Sequence, residues 1–114
     1  MHKYLLATVS LAAMVSASAA QADSIKVGVL ATLEGTYTVL GEDGIRGVKT
    51  ALGLAGSKAG GKDLEIIIQS TDASPDSAVR GARKLVEQDK VDFVIGPLSG
   101  SEGIALRDYA KTQP

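Results

Sequence analysis

The sequence predicts an α/β fold built on a parallel, doubly wound (Rossmann-like) sheet. Three apolar segments rich in β-branched residues are each followed by a segment with helical periodicity, which gives the order β-α-β-α-β-α. Ile66, Ile67 and Ile68 are consecutive in the second strand, and such runs are typical of strands that are buried on both faces of a parallel sheet. Right-handed crossovers then favour the strand order 2-1-3.

The first βα unit begins with a strand over residues 24–30, in which Gly28 permits a helix to pack closely on the sheet. The polar, glycine-containing connection 31–41 is longer than the roughly 2–6 residues usual in such units, and long loops on a rigid scaffold often carry function. A helix is predicted from about residue 42 to about residue 57. Its apolar stripe consists of Ile45, Val48, Leu52 and Ala55.

The second unit is a strand over residues 64–70 followed by a helix over residues 75–89. Ser74 is expected to cap this helix, Pro75 suits its first position, and Asp76 complements the helix dipole. The expected buried face consists of Ala78, Ala82, Leu85 and Val86. The charged residues between them are interpreted as an ordinary solvated face.

The third unit has a strand over 91–95, a turn over 96–101 and a helix over 101–111. Its expected buried positions are Ala105, Leu106 and Tyr109. The strand order 2-1-3 places the topological switch point between the first and third strands, so the connection 31–41 and the turn 96–101 meet there. Ligands of open α/β sheets bind at such a point, beyond the carboxyl ends of the strands.

Residues 1–22 have the pattern of a secretory signal peptide. A positively charged start precedes an apolar stretch over residues 5–15, and small residues follow it up to Ala20-Gln21-Ala22. The apolar stretch is shorter than the roughly 20 residues that a membrane-spanning helix needs. We expect cleavage after Ala22, with Ala19 and Ala20 as other candidates, and export to the periplasm.

Composition excludes several classes of function. The chain has no cysteine and a single histidine, His2, which lies in the predicted leader. Disulfides, thiol catalysis, Cys-based zinc sites and a lipid-anchored cysteine are therefore excluded. The formal net charge of −1 gives no sign of the clustered basic charge that nucleic acids require of their partners.

The sequence also lacks enzymatic motifs. Gly41-x-x-Gly44-x-x-Gly47 is not the dinucleotide pattern and falls inside a predicted helix, and no phosphate-binding G-x-x-x-x-G-K-[ST] loop is present. No carboxylates cluster as metal ligands would. We therefore predict no enzyme activity, no cofactor and no metal site.

The start of the third helix is the main candidate for binding. Backbone N–H groups at Ser99, Gly100 and Ser101 would favour a ligand carboxylate or another acceptor, and the serine hydroxyls would add hydrogen bonds. Equally, Ser99-x-x-Glu102 has the form of a capping box, in which these groups satisfy one another. The two interpretations remain open at this point.

Tyr37 and Leu40, in the first connection, are candidates for the apolar wall of a pocket. They are equally well explained as anchors of an ordinary loop.

Together with the leader, an ordered set of motifs resembles the start of a type I periplasmic binding protein, closest to the leucine/isoleucine/valine-type solute-binding proteins of ABC transporters. The motifs are Ile25-Lys26-Val27-Gly28-Val29-Leu30, Gly41-x-x-Gly44-x-x-Gly47, Asp72-x-x-x-Asp76 and Val94-Ile95-Gly96-Pro97. In that family, two α/β lobes joined by a hinge close over a small solute. The resemblance implies ligand contacts from Tyr37 to Gly41, with Leu40 at a wall position, and from Leu98 to Ser101. The family usually has a ligand-binding serine where this chain has Gly100, so an aromatic acid or an amide is a possible alternative to an amino acid.

The resemblance implies the substrate-binding component of an ABC importer for branched-chain amino acids or a related small solute, with a membrane permease as its partner. The alternatives are an extracytoplasmic ligand-sensing receptor domain and a Rossmann-type nucleotide-binding enzyme domain. We expect residues 23–114 to be the N-terminal part of one lobe, truncated before a fourth strand. The third strand would then be an unpaired apolar edge.

Overall fold

The computed structural model describes residues 23–114, so the predicted signal peptide lies outside the described residues. None of the helices in this range is long and apolar enough to cross a membrane. The elements in chain order are β1 Ile25–Thr32, α1 Thr38–Leu54, β2 Lys58–Ala59, β3 Lys62–Thr71, α2 Pro75–Arg83, β4 Phe93–Ile95 and α3 Gly100–Ala110. A short π-helical segment, Lys84–Gln88, continues α2.

The sheet has the strand order β2-β3-β1-β4. β1 pairs in parallel with β3 on one side and with β4 on the other, which confirms the predicted 2-1-3 arrangement and its switch point. The short strand β2 was not predicted and pairs antiparallel with the start of β3. Gly60 and Gly61 both have positive φ in the turn between them, as a two-residue hairpin requires.

Apolar residues are buried on both faces of the sheet. On one face, Val27, Val29 and Ala31 pack with Ile45 and Val48 of α1. On the other face, the buried residues belong to β1, α2 and the π-helical segment, with α3 packed against them: Leu30, Ala82, Leu85, Leu106 and Tyr109. The three isoleucines of β3 divide between these two clusters, which confirms the doubly wound prediction.

Glycines allow two close approaches in this packing. A Cβ at Gly41 would lie 1.8 Å from the carbonyl oxygen of Thr32, so α1 contacts the end of β1 through bare backbone. A Cβ at Gly28 would lie 3.1 Å from Leu85, which confirms that a helix packs closely there. Gly44 and Gly47, by contrast, have open space where a Cβ would be.

The prediction of a long first connection was wrong. β1 extends to Thr32 and α1 begins at Thr38, which leaves a connection of ordinary length. The turn is closed by Thr38, whose backbone N–H and hydroxyl both donate to the carbonyl of Gly35. Leu40 and Gly41 consequently lie in the first turns of α1 rather than in a loop.

The third parallel strand is also shorter than predicted. Asp92 precedes β4, and its side chain accepts a hydrogen bond from the backbone N–H of Lys26 at 2.7 Å. Val91 donates to the carbonyl of Leu85 and so still belongs to the turn after α2. Among residues 23–114, β4 pairs only with β1, so its outer edge is open as expected.

Candidate ligand-binding site

A cleft lies at the switch point between β1 and β4, on the side of the sheet that α1 covers. It has a volume of about 120 Å³ and is open to solvent. Its floor is the carboxyl end of β1, one wall is the start of α1, and the other wall is the turn after β4. The lining residues are Val29–Thr32 at the floor, Leu40, Gly41, Gly44, Ile45 and Val48 from α1, and Ile95–Leu98 from the turn. Most of these side chains are apolar, so the cleft suits the apolar body of a small molecule.

Two of the six residues predicted to contact a ligand line the cleft, Leu40 and Leu98, and the other four do not: Tyr37, Ser99, Gly100 and Ser101. Leu40 and Leu98 both line the cleft and are 51% and 44% exposed. Tyr37 is 53% exposed at the residue before α1 and does not line the cleft. Its carbonyl accepts the backbone N–H groups of Leu40 and Gly41, so its clearest role is in starting the helix.

Ser99 begins α3 with a complete capping box. Its Oγ accepts the backbone N–H of Glu102 at 3.3 Å, and its own backbone N–H donates to Oε2 of Glu102 at 3.0 Å. The capping interpretation is therefore correct for Ser99. Such a box fixes the chain at the helix entry, immediately after the cleft wall at Leu98.

Gly100 and Ser101 occupy the next two positions, the first turn of α3. Their backbone N–H groups have no acceptor among the described residues, as expected for the first turn of a helix. The Ser101 side chain is exposed, and its Oγ lies 3.2 Å from Oγ of Ser99. This turn thus presents unused hydrogen-bond donors two and three residues after Leu98 of the cleft wall, with the positive end of the helix dipole behind them.

Glu102 is the unexpected residue of this region, because its side chain is completely buried. Oε2 is held by Ser99, while Oε1 is buried without a hydrogen-bond partner in the described residues. The sequence indicated Glu102 as part of a capping box. It gave no signal that the carboxyl group would be enclosed, because burial depends on contacts between segments that are distant in the sequence.

The loop before α2 supports the start of α3. Oγ of Ser99 lies 3.3 Å from the carbonyl oxygen of Ala73, a residue with φ of +70°. Next to it, Asp72 accepts hydrogen bonds from the backbone of Ser74 and the hydroxyl of Ser77. Hydrogen bonds from Ser74 and Ser77 lower the pKa of Asp72 to about 2. The loop is therefore braced by a carboxylate that stays ionised.

Sequence reasoning missed Thr32, which lines the floor of the cleft. Thr32 and Thr71 are buried side by side at the carboxyl ends of β1 and β3, with their Oγ1 atoms 3.1 Å apart. Both residues end the observed strands and lie just beyond the predicted ones, and nothing in their local pattern indicated a paired position. Within residues 23–114, no group of three or more acidic or histidine side chains is placed to hold a metal ion.

Residues 24–114 match the family described as periplasmic binding protein. The chain belongs to the periplasmic binding protein family. This assignment confirms the resemblance found in the sequence, and it places the chain among solute-binding proteins rather than enzymes. One relative is Leu/Ile/Val-binding protein homolog 2 of Brucella abortus, which is 34% identical over 114 residues. The match covers 97% of this chain and 30% of the relative.

Solved structures agree with this assignment. An ABC transporter substrate-binding protein from Sphaerobacter thermophilus is 37% identical, with a TM-score of 0.74 over 78% of this chain and 24% of that chain. A solute-binding protein of an ABC transporter from R. palustris, solved in complex with benzoate, is 30% identical, with a TM-score of 0.72. It is matched over 77% of this chain and 24% of its own. The chain therefore spans less than a third of the length of the relatives that it matches.

Proposed function

We propose that residues 23–114 form the N-terminal part of the first lobe of a substrate-binding protein that serves an ABC importer. The observation that carries this proposal is the apolar cleft at the switch point, in a chain of the periplasmic binding protein family. The wall at Leu98 leads directly into the first turn of α3, which has unused donors. In this arrangement the cleft contacts the apolar part of a solute, and the helix start contacts a polar acceptor group. Leu40 and Leu98 provide the apolar contacts, and Gly100 and Ser101 the donors.

The size of the cleft supports a half-site rather than a complete pocket. Its volume is about 120 Å³, whereas pockets that enclose a drug-sized ligand usually measure roughly 300–1,000 Å³. The relatives are more than three times as long as the matched segment. The remaining contacts would come from a second lobe, which closes over the ligand from the opposite side.

For the ligand, we propose a small solute with an apolar body and a carboxylate or amide group, either a branched-chain amino acid or an aromatic acid. The name of the Brucella abortus relative supports the first class, and the benzoate complex of the R. palustris protein supports the second. Gly100 stands where the family usually has serine, so this position lacks the hydroxyl that would favour one of the two classes.

The same proposal includes export and a membrane partner. The family assignment implies a periplasmic location. The predicted signal peptide, with cleavage after Ala22, would direct the protein there, and a membrane ABC permease would receive the closed, loaded form.

The experiment is a thermal-unfolding screen of the full-length protein that carries residues 23–114 as its first part. The panel contains leucine, isoleucine, valine, benzoate and benzamide. A ligand that binds only the folded state at 100 times its Kd stabilises it by about 2.7 kcal/mol, which raises Tm measurably. We expect at least one panel member to raise Tm. A panel in which no compound changes Tm would contradict the proposal.

Two leucine substitutions locate the binding site. Leu98→Ala removes an apolar contact from the cleft wall, so we expect the Kd of the active compound to rise by about tenfold, equivalent to about 1.4 kcal/mol. Leu54→Ala is the matched control, because Leu54 is 87% exposed at the far end of α1 and does not line the cleft. Equal Kd values for both variants would place the ligand elsewhere.

A further inference from the structure

Apolar side chains are exposed together at the start of α1. Tyr37 is 53% exposed, Val39 63% and Leu40 51%, all within four consecutive residues. Leu40 lines the cleft, whereas Tyr37 and Val39 do not, and neither of these two packs in the apolar clusters that flank the sheet. Single exposed apolar residues are normal on a protein surface, but adjacent ones mark surfaces that contact another structure. We refer to Tyr37 and Val39 as the rim.

The rim lies at the mouth of the cleft. β1 ends at Thr32 and α1 begins at Thr38, so the first turn of α1 lies at the carboxyl edge of the sheet, as the cleft does. Side chains of a helix lean towards its N-terminus. The side chain of Val39 therefore extends past this edge and away from the core. Because Leu40 is the next residue and lines the cleft wall, the rim borders the cleft without entering it.

Formation of α1 does not explain an apolar rim. The first turn of a helix is stabilised by acidic side chains, and α1 has none there. Valine is β-branched and lowers helix stability slightly. The hydrogen bonds that Leu40 and Gly41 donate to Tyr37 reach its backbone carbonyl, so they do not depend on the tyrosine side chain. A polar residue at either rim position would serve the helix as well or better, so the apolar side chains require another explanation.

The occupant of this surface follows from the position of the cleft. This inference rests on the proposed function, in which a second lobe closes over the ligand. A lobe that covers the mouth of the cleft has to approach the carboxyl edge of this sheet, where the rim lies. The relatives are more than three times as long as the segment that they share with this chain, so a protein of their length has enough chain for such a lobe.

We propose that the rim is a contact surface for the second lobe, exposed in the open form of the receptor and covered in the closed form. Removal of apolar surface from water stabilises the closed form. Since the apparent affinity for a ligand depends on how readily the protein adopts the form that binds it, the rim strengthens the binding of each ligand by the same factor. Tyr37 and Val39 are then positioning residues for lobe closure, and the surface that they meet on the second lobe is apolar.

The test compares Val39→Ser with Leu54→Ser in the full-length protein. Valine and serine have similar helix propensities and Val39 is exposed, so this variant should have the urea midpoint of the wild type. Leu54 is the matched control, because it is 87% exposed at the far end of α1 and does not line the cleft. The probes are leucine and isoleucine, or benzoate and benzamide, whichever pair the wild type binds. Calorimetric titration measures Kd, and small-angle X-ray scattering measures the radius of gyration with and without probe.

We expect Val39→Ser to raise Kd by about three- to tenfold, as the loss of one partly buried valine contact predicts. The factor should be the same for both probes, because lobe closure is common to them. Tyr37→Ser should act in the same direction, and Leu54→Ser should leave Kd at the wild-type value. In the wild type, the radius of gyration should decrease when a probe binds.

Three results would overturn the inference while the proposed function stands. An unchanged Kd in Val39→Ser, or an equal increase in Leu54→Ser, would show that the rim has no special contact on closure. Unequal factors for the two probes would indicate a direct contact with the ligand. A raised Kd together with a lower urea midpoint would reduce the role of Val39 to the folding of α1. A wild type that binds no probe, or binds one with no decrease in the radius of gyration, would instead contradict the proposed closure, and the inference with it.

Discussion

Gly41 determines how closely α1, one wall of the cleft, packs against the end of β1. Because glycine has no Cβ, α1 can contact the carbonyl of Thr32 at this position. Any residue with a Cβ would clash with that carbonyl. Gly44, one turn later on the same helix, lines the cleft with open space around it. Two glycines of one repeated pattern therefore serve different purposes, and only the structure distinguishes them.

Gly41→Ala should destabilise the full-length protein. A Cβ placed 1.8 Å from the Thr32 oxygen forces α1 away from β1, and overpacking of this kind costs typically about 1–3 kcal/mol. Gly44→Ala is the matched control and should be neutral or stabilising by up to about 1 kcal/mol, because alanine favours the helix. Urea unfolding of both variants measures the difference. A stability loss of equal size in the two would show that the contact with Thr32 is unimportant.

Asp72 gives a prediction for the acidic range. Hydrogen bonds from Ser74 and Ser77 lower its pKa in the folded state to about 2, below the roughly 3.9 of an unfolded aspartate. Because the folded state binds this proton more weakly, the stabilisation is fully present above pH 4 or so and is lost as the pH falls towards about 2.

The measurement is the free energy of unfolding between pH 5 and pH 2, compared for the wild type and Asp72→Asn. The wild type should lose stability more steeply across this interval, because asparagine does not titrate. Parallel pH profiles would contradict the assignment of the lowered pKa to Asp72.

At the scale of elements, the outer edge of β4 has no pairing strand in residues 23–114. β4 pairs only with β1 in residues 23–114, and Phe93 is 47% exposed on it. Beside this edge, a groove of about 520 Å³ runs between β4 and α3. Unpaired apolar edges promote association between chains.

A polypeptide of residues 23–114 alone should therefore self-associate, and Phe93→Lys should reduce this association by placing a charge at the edge. Size-exclusion chromatography with light scattering measures the mass. Tyr37→Lys is the matched control, since Tyr37 is an exposed aromatic residue away from β4. A monomeric wild-type polypeptide, or an equal effect of both lysines, would contradict the prediction.

The helix starts show which elements the sequence could predict. Ser74 and Ser99 cap α2 and α3 through their own side chains, and both starts were predicted to within two residues. α1 starts after Tyr37 with no side-chain cap, and glycines follow in its first turns, so the local pattern indicated a later start. That error lengthened the predicted loop and moved Leu40 out of the helix.

At the scale of the whole molecule, the fold was predictable because apolar, strand-like segments alternate strictly with helical ones. With right-handed crossovers, this alternation favours one parallel strand order, which the sheet has. The candidate site was predictable in part. The position of the cleft followed from topology, and Leu98, which the resemblance indicated, lines this cleft. Its contact with a ligand stays a prediction. The buried Glu102, the paired Thr32 and Thr71 and the exclusion of Tyr37 depend on contacts between distant segments, which local patterns do not contain.

The bare-backbone contact between Gly41 and Thr32 also has a mechanical consequence. Because no side chain lies between α1 and the end of β1 at this point, movement of the helix towards the strand would bring backbone atoms into steric clash. The wall that carries Leu40 must therefore move together with β1 as one rigid unit. The turn that carries Leu98 is also close to β1, because a Cβ at Gly96 would lie 2.3 Å from the carbonyl oxygen of Leu30. As the two lobes of the proposed receptor open and close, the distance between Leu40 and Leu98 should therefore stay constant and limit the width of the solute.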